Sequence, residues 1–101
     1  MSWTEQAVLR ELRALVLQHT EATVELTPRT ELVAELGIDS LGVMELVADV
    51  EDEFGLTITD GELRDVVTFG DVSLTIVKML REAGKLDEAD ASGVAGGGAE
   101  P

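Results

Sequence analysis

The residues whose types could support chemistry are concentrated at positions 36–41, which read Leu-Gly-Ile-Asp-Ser-Leu. Ser40 offers a hydroxyl, and Asp39 beside it offers a carboxylate. Both residue types are also favoured at helix N-caps, because their side-chain oxygens accept hydrogen bonds from amides of the first turn. The run therefore allows two interpretations: it only starts a helix, or it presents a serine for covalent modification.

Hydrolysis at Ser40 is not favoured by its neighbours. A nucleophile elbow of the form Gly-x-Ser-x-Gly needs glycine at both 38 and 42, whereas Ile38 occupies the first of these positions and Gly42 the second. His19 is the only histidine, and we interpret it as a surface or helix-end residue without the third member of a triad. We therefore predict a chain that is not an enzyme by itself.

Two further observations argue against metal and thiol chemistry. The chain has no cysteine, so it offers no disulfide, thiolate nucleophile or soft metal ligand, and any thiol must come from a cofactor. Positions 49–60 have acids at the spacing of a calcium loop, but Phe54 occupies the place that requires glycine. We predict no metal site.

The charge of the chain indicates the kind of partner it meets. Lys and Arg number 7 against 21 Asp and Glu, for a formal net charge of -14. Such a chain repels nucleic acid phosphates and anionic lipid surfaces. Ten of the acids lie between positions 31 and 63, where no Lys or Arg occurs. We predict partner proteins with basic surfaces, and neither a nucleic acid nor a membrane partner.

The elements that must position Ser40 are predicted to be helices. Hydrophobic residues make up 45% of the chain and aromatic residues only 3%, which suits packed helices with an aliphatic core. Ser2 and Glu5 have capping-box spacing, and the apolar residues that follow predict a first helix from about Trp3 to Gln18. The N-terminal region has no apolar run of the length of a signal core or membrane span, so we expect a cytoplasmic protein. A long loop from His19 to Asp39 follows, with predicted core anchors Leu26, Leu32, Val33 and Leu36.

The second helix is predicted over Ser40 to Phe54, with Gly55 as its stop signal. At about 100° per residue, its core stripe comprises Val43, Leu46, Val47, Val50 and Phe54. Its opposite face comprises Leu41, Met44, Glu45, Ala48, Glu51 and Asp52. Because this face combines large apolar residues with acids, it is predicted to bind partners.

The last elements are two further helices. Thr57-Ile58-Thr59 is predicted to be loop, because no second strand pattern exists for it to pair with. A short third helix is predicted over Asp60 to Val67. Thr68 and Asp71 open a fourth helix that ends near Gly84, and its apolar stripe comprises Phe69, Val72, Ile76, Val77 and Leu80.

The domain organisation follows from length and composition. A chain of 101 residues has the size of one small domain. Beyond Leu86 the sequence becomes rich in Gly, Ala and acids, and it lacks the apolar residues needed for a core. We predict a domain over residues 1–86 and a disordered tail or linker stub over residues 87–101.

The sequence resembles the acyl carrier protein family, in which Leu-Gly-x-Asp-Ser-Leu marks the serine that receives phosphopantetheine. Positions 36–41 match this pattern at every defined position. The resemblance covers the chain apart from its tail, and the other matching stretches are 26–32, 45–46, 51–54, 55–58 and 67–72.

The resemblance implies an all-α, acyl-carrier-like four-helix bundle, with three principal helices, a short third helix, and the long loop between helices one and two. It implies that a phosphopantetheinyl transferase moves 4′-phosphopantetheine from coenzyme A onto Ser40, between Asp39 and Leu41. The thiol of the arm then carries acyl intermediates as thioesters. The expected partners are an acyltransferase, a ketosynthase or an acyl-activating ligase with a basic docking surface, and the carrier is expected to be a monomer. An acyl cleft between the second and third helices is implied at Val43, Val47, Leu63 and Val66.

Alternatives stay open at this point. Asp39 before the serine favours a fatty acid or polyketide carrier, since peptidyl carriers of nonribosomal synthetases typically have His there with Gly-Gly ahead of it. Discrete aminoacyl carriers also have Asp at this position, so aminoacyl or peptidyl cargo is one alternative. The other is an unmodified acidic helical adaptor that uses the same helix face only for binding. The lack of a fused catalytic domain favours a discrete carrier, and a domain excised from a larger synthase is the alternative.

Overall fold

The computed structural model describes residues 2–87. The helices are, in order, α1 (Glu5–Leu17), α2 (Ser40–Phe54), α3 (Asp60–Leu63) and α4 (Phe69–Glu82). Residues 2–87 contain no strand longer than the isolated bridges Trp3–Leu86 and Glu31–Thr68. The all-α, four-helix prediction is confirmed. Apart from Asp87, the predicted tail lies outside the described residues.

The start of α1 differs from the prediction. Thr4, and not Ser2, is the N-cap, because Thr4 Oγ1 accepts a hydrogen bond of 3.1 Å from an amide of the first turn. Trp3 is instead extended: its amide donates to the Lys85 carbonyl at 2.7 Å, and its carbonyl accepts from the Asp87 amide at 2.6 Å. Pairing with a distant segment therefore removes Trp3 from the helix.

The starts and ends of α2 and α4 agree with the sequence signals. Gly55 follows α2 in the left-handed region, with φ of 65°, and a side chain is disfavoured there. At the start of α4, the Thr68 hydroxyl accepts from the Asp71 amide at 3.1 Å, while the Asp71 carboxylate accepts from the Thr68 amide at 2.9 Å. This reciprocal pair is the predicted capping box.

The third helix is shorter than predicted. It ends at Leu63, whereas the sequence predicted a helix to Val67. The Val67 carbonyl accepts a hydrogen bond of 3.0 Å from the Leu32 amide, so the chain here is paired with the long loop and leaves the helix. Residues 57–59 are loop, as predicted.

The core is aliphatic with few rings. Its buried residues are Val8, Leu12, Leu15, Val16, Leu26, Leu32, Leu36, Ile38, Leu46, Val50, Phe54, Phe69, Ile76, Leu80 and Leu86. Three of the four predicted loop anchors are among them, but Val33 is 62% exposed. Leu32 and Leu36 lie four positions apart on one side of a turn, which leaves Val33 on the other side. None of the helices within residues 2–87 has the length and apolar character needed to span a membrane.

The long loop is held in place by hydrogen bonds around a buried threonine. Thr30 is 3% exposed, and its hydroxyl accepts from the Thr27 amide at 2.8 Å. The Thr30 carbonyl accepts from the Phe69 amide at 2.9 Å, which joins the loop to α4. Thr20 Oγ1 donates to the Leu36 carbonyl at 2.5 Å. The loop therefore delivers positions 36–39 to the start of α2 in a fixed place.

The two ends of the described chain meet beside the last turn of α2. The Trp3 and Phe54 ring centroids are 4.6 Å apart. Lys85 Nζ donates to the Gly55 carbonyl at 2.7 Å, which satisfies an acceptor at the end of α2. Leu86 is buried, so the segment that follows α4 belongs to the domain.

Candidate functional site

Ser40 is the first residue of α2, and it is exposed. No hydrogen bond of its hydroxyl is found among residues 2–87. Amides in the first turn of a helix lack partners within the helix and lie at the positive end of its dipole. Those of Ser40 and Leu41 are of this kind. A phosphate group on the serine oxygen would therefore lie beside free donors, in a setting that favours an anion.

Asp39 and Ser40 divide the two roles that the sequence left open. Asp39 Oδ1 accepts from the Gly42 amide at 2.8 Å, so Asp39 is the N-cap and Ser40 is not. Ile38 before it is 1% exposed and fixes this end of the loop in the core. Gly37 has φ of 70°, and this left-handed conformation ends the preceding turn. The serine hydroxyl is consequently left available for chemistry.

The outward face of α2 is apolar next to Ser40 and acidic around it. Leu41 and Met44 are 64% and 69% exposed. Also exposed are Glu45, Ala48 and Asp52. Glu51, the sixth residue of the predicted face, is half-buried, and its carboxylate accepts from the Ile58 amide at 2.7 Å. Sequence periodicity does not predict this hydrogen bond, because it joins a helix to a loop that has no repeating pattern.

His19 follows α1 and connects it to the middle of α2. Its Nε2 lies 2.8 Å from Asp49 Oδ2, and its Nδ1 lies 3.8 Å from Glu45 Oε1. Only 13% of the side chain is exposed, so His19 is at a helix end, as expected, but is more covered than a surface residue. Its bond to Asp49 gives it a structural role, and this arrangement does not resemble a Ser-His triad.

The four residues of the predicted acyl cleft line one cavity. Val43 and Val47 of α2 face Leu63 and Val66 across a cavity of about 50 Å³. Its other lining residues are Leu32, Leu46, Val50, Ile58, Val72, Thr75 and Ile76. The lining atoms are apolar, so the cavity suits a hydrocarbon group and offers no hydrogen-bonding partner.

A largely apolar groove of about 420 Å³ lies beside this cavity. Val43, one turn after Ser40, lines both the groove and the cavity, and so do Leu32, Leu63 and Val66. The outer wall is formed by Val33 and Val67, which are 62% and 53% exposed. Helical periodicity does not predict this wall, because both valines lie outside α1 to α4.

Comparison with known proteins gives the family. The family described as "Phosphopantetheine attachment site" matches residues 7–76. The acyl carrier protein of Helicobacter pylori (strain ATCC 700392 / 26695) is 34% identical over 67 residues, which are 65% of this chain and 86% of the relative. The chain belongs to the acyl carrier protein family. Another member, from Thermotoga maritima, is 39% identical over 56 residues, which cover 55% of this chain and 69% of that protein.

A solved structure supports the same conclusion for the acyl carrier fold. A candidate acyl carrier protein from Mycobacterium tuberculosis matches with a TM-score of 0.64 at 28% identity. The match covers 69% of this chain and 95% of that one. The family expected from positions 36–41 is confirmed.

Acyl carrier proteins are non-catalytic, and they carry 4′-phosphopantetheine as their prosthetic group. The residues around Ser40 fit such a group. The exposed hydroxyl can form its phosphodiester, the amides of Ser40 and Leu41 can face the phosphate, and the groove beginning near Val43 is open to a flexible arm. The bound group supplies a thiol, which this cysteine-free chain lacks.

Proposed function

We propose that this protein carries acyl intermediates of fatty acid or polyketide biosynthesis as thioesters on a 4′-phosphopantetheine arm attached to Ser40. The observation that supports it best is the exposed, uncommitted hydroxyl of Ser40 at the first residue of α2. Asp39 performs the capping, so modification of Ser40 leaves the helix start intact. A cytoplasmic location and a monomeric state are part of the same proposal.

Loading requires a phosphopantetheinyl transferase. Ser40 Oγ forms a bond to the pantetheine-side phosphorus of coenzyme A, the bridging P–O bond of the pyrophosphate breaks, and adenosine bisphosphate leaves. The hydroxyl proton passes to a base of the transferase, because Asp39, the neighbouring carboxylate, is held by the Gly42 amide. The dipole of α2 contributes about 0.3 to 1 kcal/mol to placing the phosphate. It therefore orients the group, and the covalent bond holds it.

Partner enzymes are proposed to dock on the outward face of α2. Leu41 and Met44 supply an exposed apolar contact beside Ser40, and the exposed acids Glu45 and Asp52 lie on the same face of α2. A basic surface on the transferase, acyltransferase, ketosynthase or acyl-activating ligase matches this face. Of the acids in the predicted face, Glu51 accepts from the Ile58 amide, and Glu45 lies 3.8 Å from His19 Nδ1 and stays exposed.

The acyl group is proposed to shelter in the groove and cavity between α2 and α3. Val43, Val47, Leu63 and Val66 line the cavity, and the groove shares Val43, one turn after Ser40, with it. Burial of each methylene contributes about 0.8 kcal/mol. An apolar lining favours acyl over aminoacyl cargo, because a charged amino group has no partner there. Aminoacyl cargo is therefore the second candidate.

The proposal is tested by intact mass after incubation with coenzyme A and a broad-specificity transferase. We expect one arm on the native chain and on Ser2→Ala, a control at another exposed serine. We expect none on Ser40→Ala. Modification of Ser40→Ala at the normal rate refutes the site, and an unmodified native chain supports the adaptor alternative.

A further inference from the structure

The connection between α2 and α4 covers the apolar cavity but has few polar ties to the rest of the domain. We call residues 57–66 the covering segment. The segment contains α3, none of whose residues is buried. Thr59 and Glu62 bond to each other at 2.9 Å, and Val66 bonds to Leu63 at 3.1 Å, so these bonds stay inside the segment.

One hydrogen bond crosses from the covering segment to the rest of residues 2–87. The Ile58 amide donates to Glu51 Oε2 at 2.7 Å. Glu51 is on α2, one turn after Val47, which lines the cavity. Ile58 also lines the cavity, so this bond fixes a wall residue against the helix that forms the opposite wall.

The size of the cavity means that the covering segment must move to admit cargo. A volume of about 50 Å³ has room for roughly three to five methylene-sized groups, judged against about one probe sphere for a water. Longer chains need a larger space. The covering segment supplies Ile58, Leu63 and Val66 to the lining, and its weak polar attachment makes it the wall most easily displaced.

We propose that Glu51 is a positioning residue that holds the covering segment closed and so sets how long an acyl group stays sheltered. The proposal rests on the proposed function, since it needs an acylated arm on Ser40. It gives Glu51 a different role from the other acids of the α2 face: its carboxylate acts inside the domain, on Ile58, and not on a partner.

The first measurement uses the unmodified chain and needs no cargo. Amide hydrogen exchange is compared for the native protein, Glu51→Ala and Glu51→Gln, with Glu53→Ala as a control for an exposed acid on the same helix. We expect exchange of the Ile58 amide to rise about tenfold in Glu51→Ala, the size typical for loss of a hydrogen bond to a charged group. Glu51→Gln keeps an acceptor oxygen and should retain most of the protection, and the control should not change.

The second measurement uses the arm loaded with octanoyl or acetyl groups, and follows thioester cleavage by hydroxylamine. Octanoyl release should be faster from Glu51→Ala than from native protein or Glu53→Ala. Acetyl release should be the same in all of them, because the short group does not need the cavity. Equal octanoyl rates, or equal acceleration of both groups, overturn the role of Glu51. Failure of the native chain to accept an arm refutes the proposed function instead. In that case, unchanged exchange of the Ile58 amide in Glu51→Ala would still show that Glu51 does not hold the covering segment closed.

Discussion

Replacing Asp39 and Ser40 separately should show that capping and modification belong to different residues. Asp39→Ala removes the bond from its carboxylate to the Gly42 amide, which is 2.8 Å long. Loss of an N-cap costs about 1 kcal/mol, with a range of about 0.5 to 2. For a domain of this size, each kcal/mol of lost stability lowers Tm by about 4 to 8 °C.

Two further variants divide this loss into its parts. Asp39→Asn keeps a capping oxygen but removes the charge at the positive end of the α2 dipole, so it should cost no more than about 0.3 to 1 kcal/mol. Ser40→Ala removes a hydroxyl that has no partner among residues 2–87 and introduces a good helix former. Its free energy of unfolding should stay within about 0.5 kcal/mol of the native value.

The assay is urea unfolding followed by tryptophan fluorescence. Trp3 is the single tryptophan, and its ring packs on Phe54 at the far end of α2. It therefore reports on the whole helix and not on the altered turn. If Ser40→Ala loses as much stability as Asp39→Ala, the serine is a capping residue and its hydroxyl is not free for modification.

Three other predictions follow from the same contacts. The amides of Thr68 and Val67 hold the pKa of Asp71 below its ordinary value. The stability that this carboxylate adds to the fold is therefore present above about pH 4 and is lost as pH falls through the lowered pKa. Asp71→Asn should flatten the acid unfolding curve in this pH range, and an unchanged curve contradicts this. Removal of residues 90–101 should leave Tm and arm attachment unchanged, because the sequence there lacks apolar periodicity, and calorimetry with intact mass checks it. In stopped-flow binding to the transferase at low and high salt, Glu45→Lys should mainly slow association, while Met44→Ala should mainly speed dissociation; no effect of either variant would place docking elsewhere.

The sequence predicted α2 well because both of its ends are specified locally. Asp39 supplies the cap and Gly55 supplies the left-handed residue, so no distant contact was needed to place them. The residues of the predicted core stripe of α2 also face inward. Leu46, Val50 and Phe54 are buried, and Val43 and Val47 are half-buried at the cavity. Periodicity gives such a face directly, because the helix repeat is fixed.

The errors arose where distant segments pair. The Ser2 capping box has correct spacing, but Trp3 pairs with Leu86 and leaves the helix. The predicted third helix runs to Val67 because the pairing of Val67 with Leu32 is not visible in a local pattern. Glu51 falls among the predicted outward acids for the same reason. A helical wheel gives the direction of a side chain and not the loop that it meets.

The pairing of Trp3 with Leu86 has a practical consequence for tethering the molecule. Both ends of the described chain lie at the Phe54 end of α2, and Ser40 lies at the other end. A helix of 15 residues separates them by roughly 20 Å along its axis at about 1.5 Å per residue. A dye, affinity handle or sensor-chip linker joined to the chain beside Trp3 would thus be remote from the serine and from the face next to it. Immobilised protein should accept an arm as readily as protein in solution.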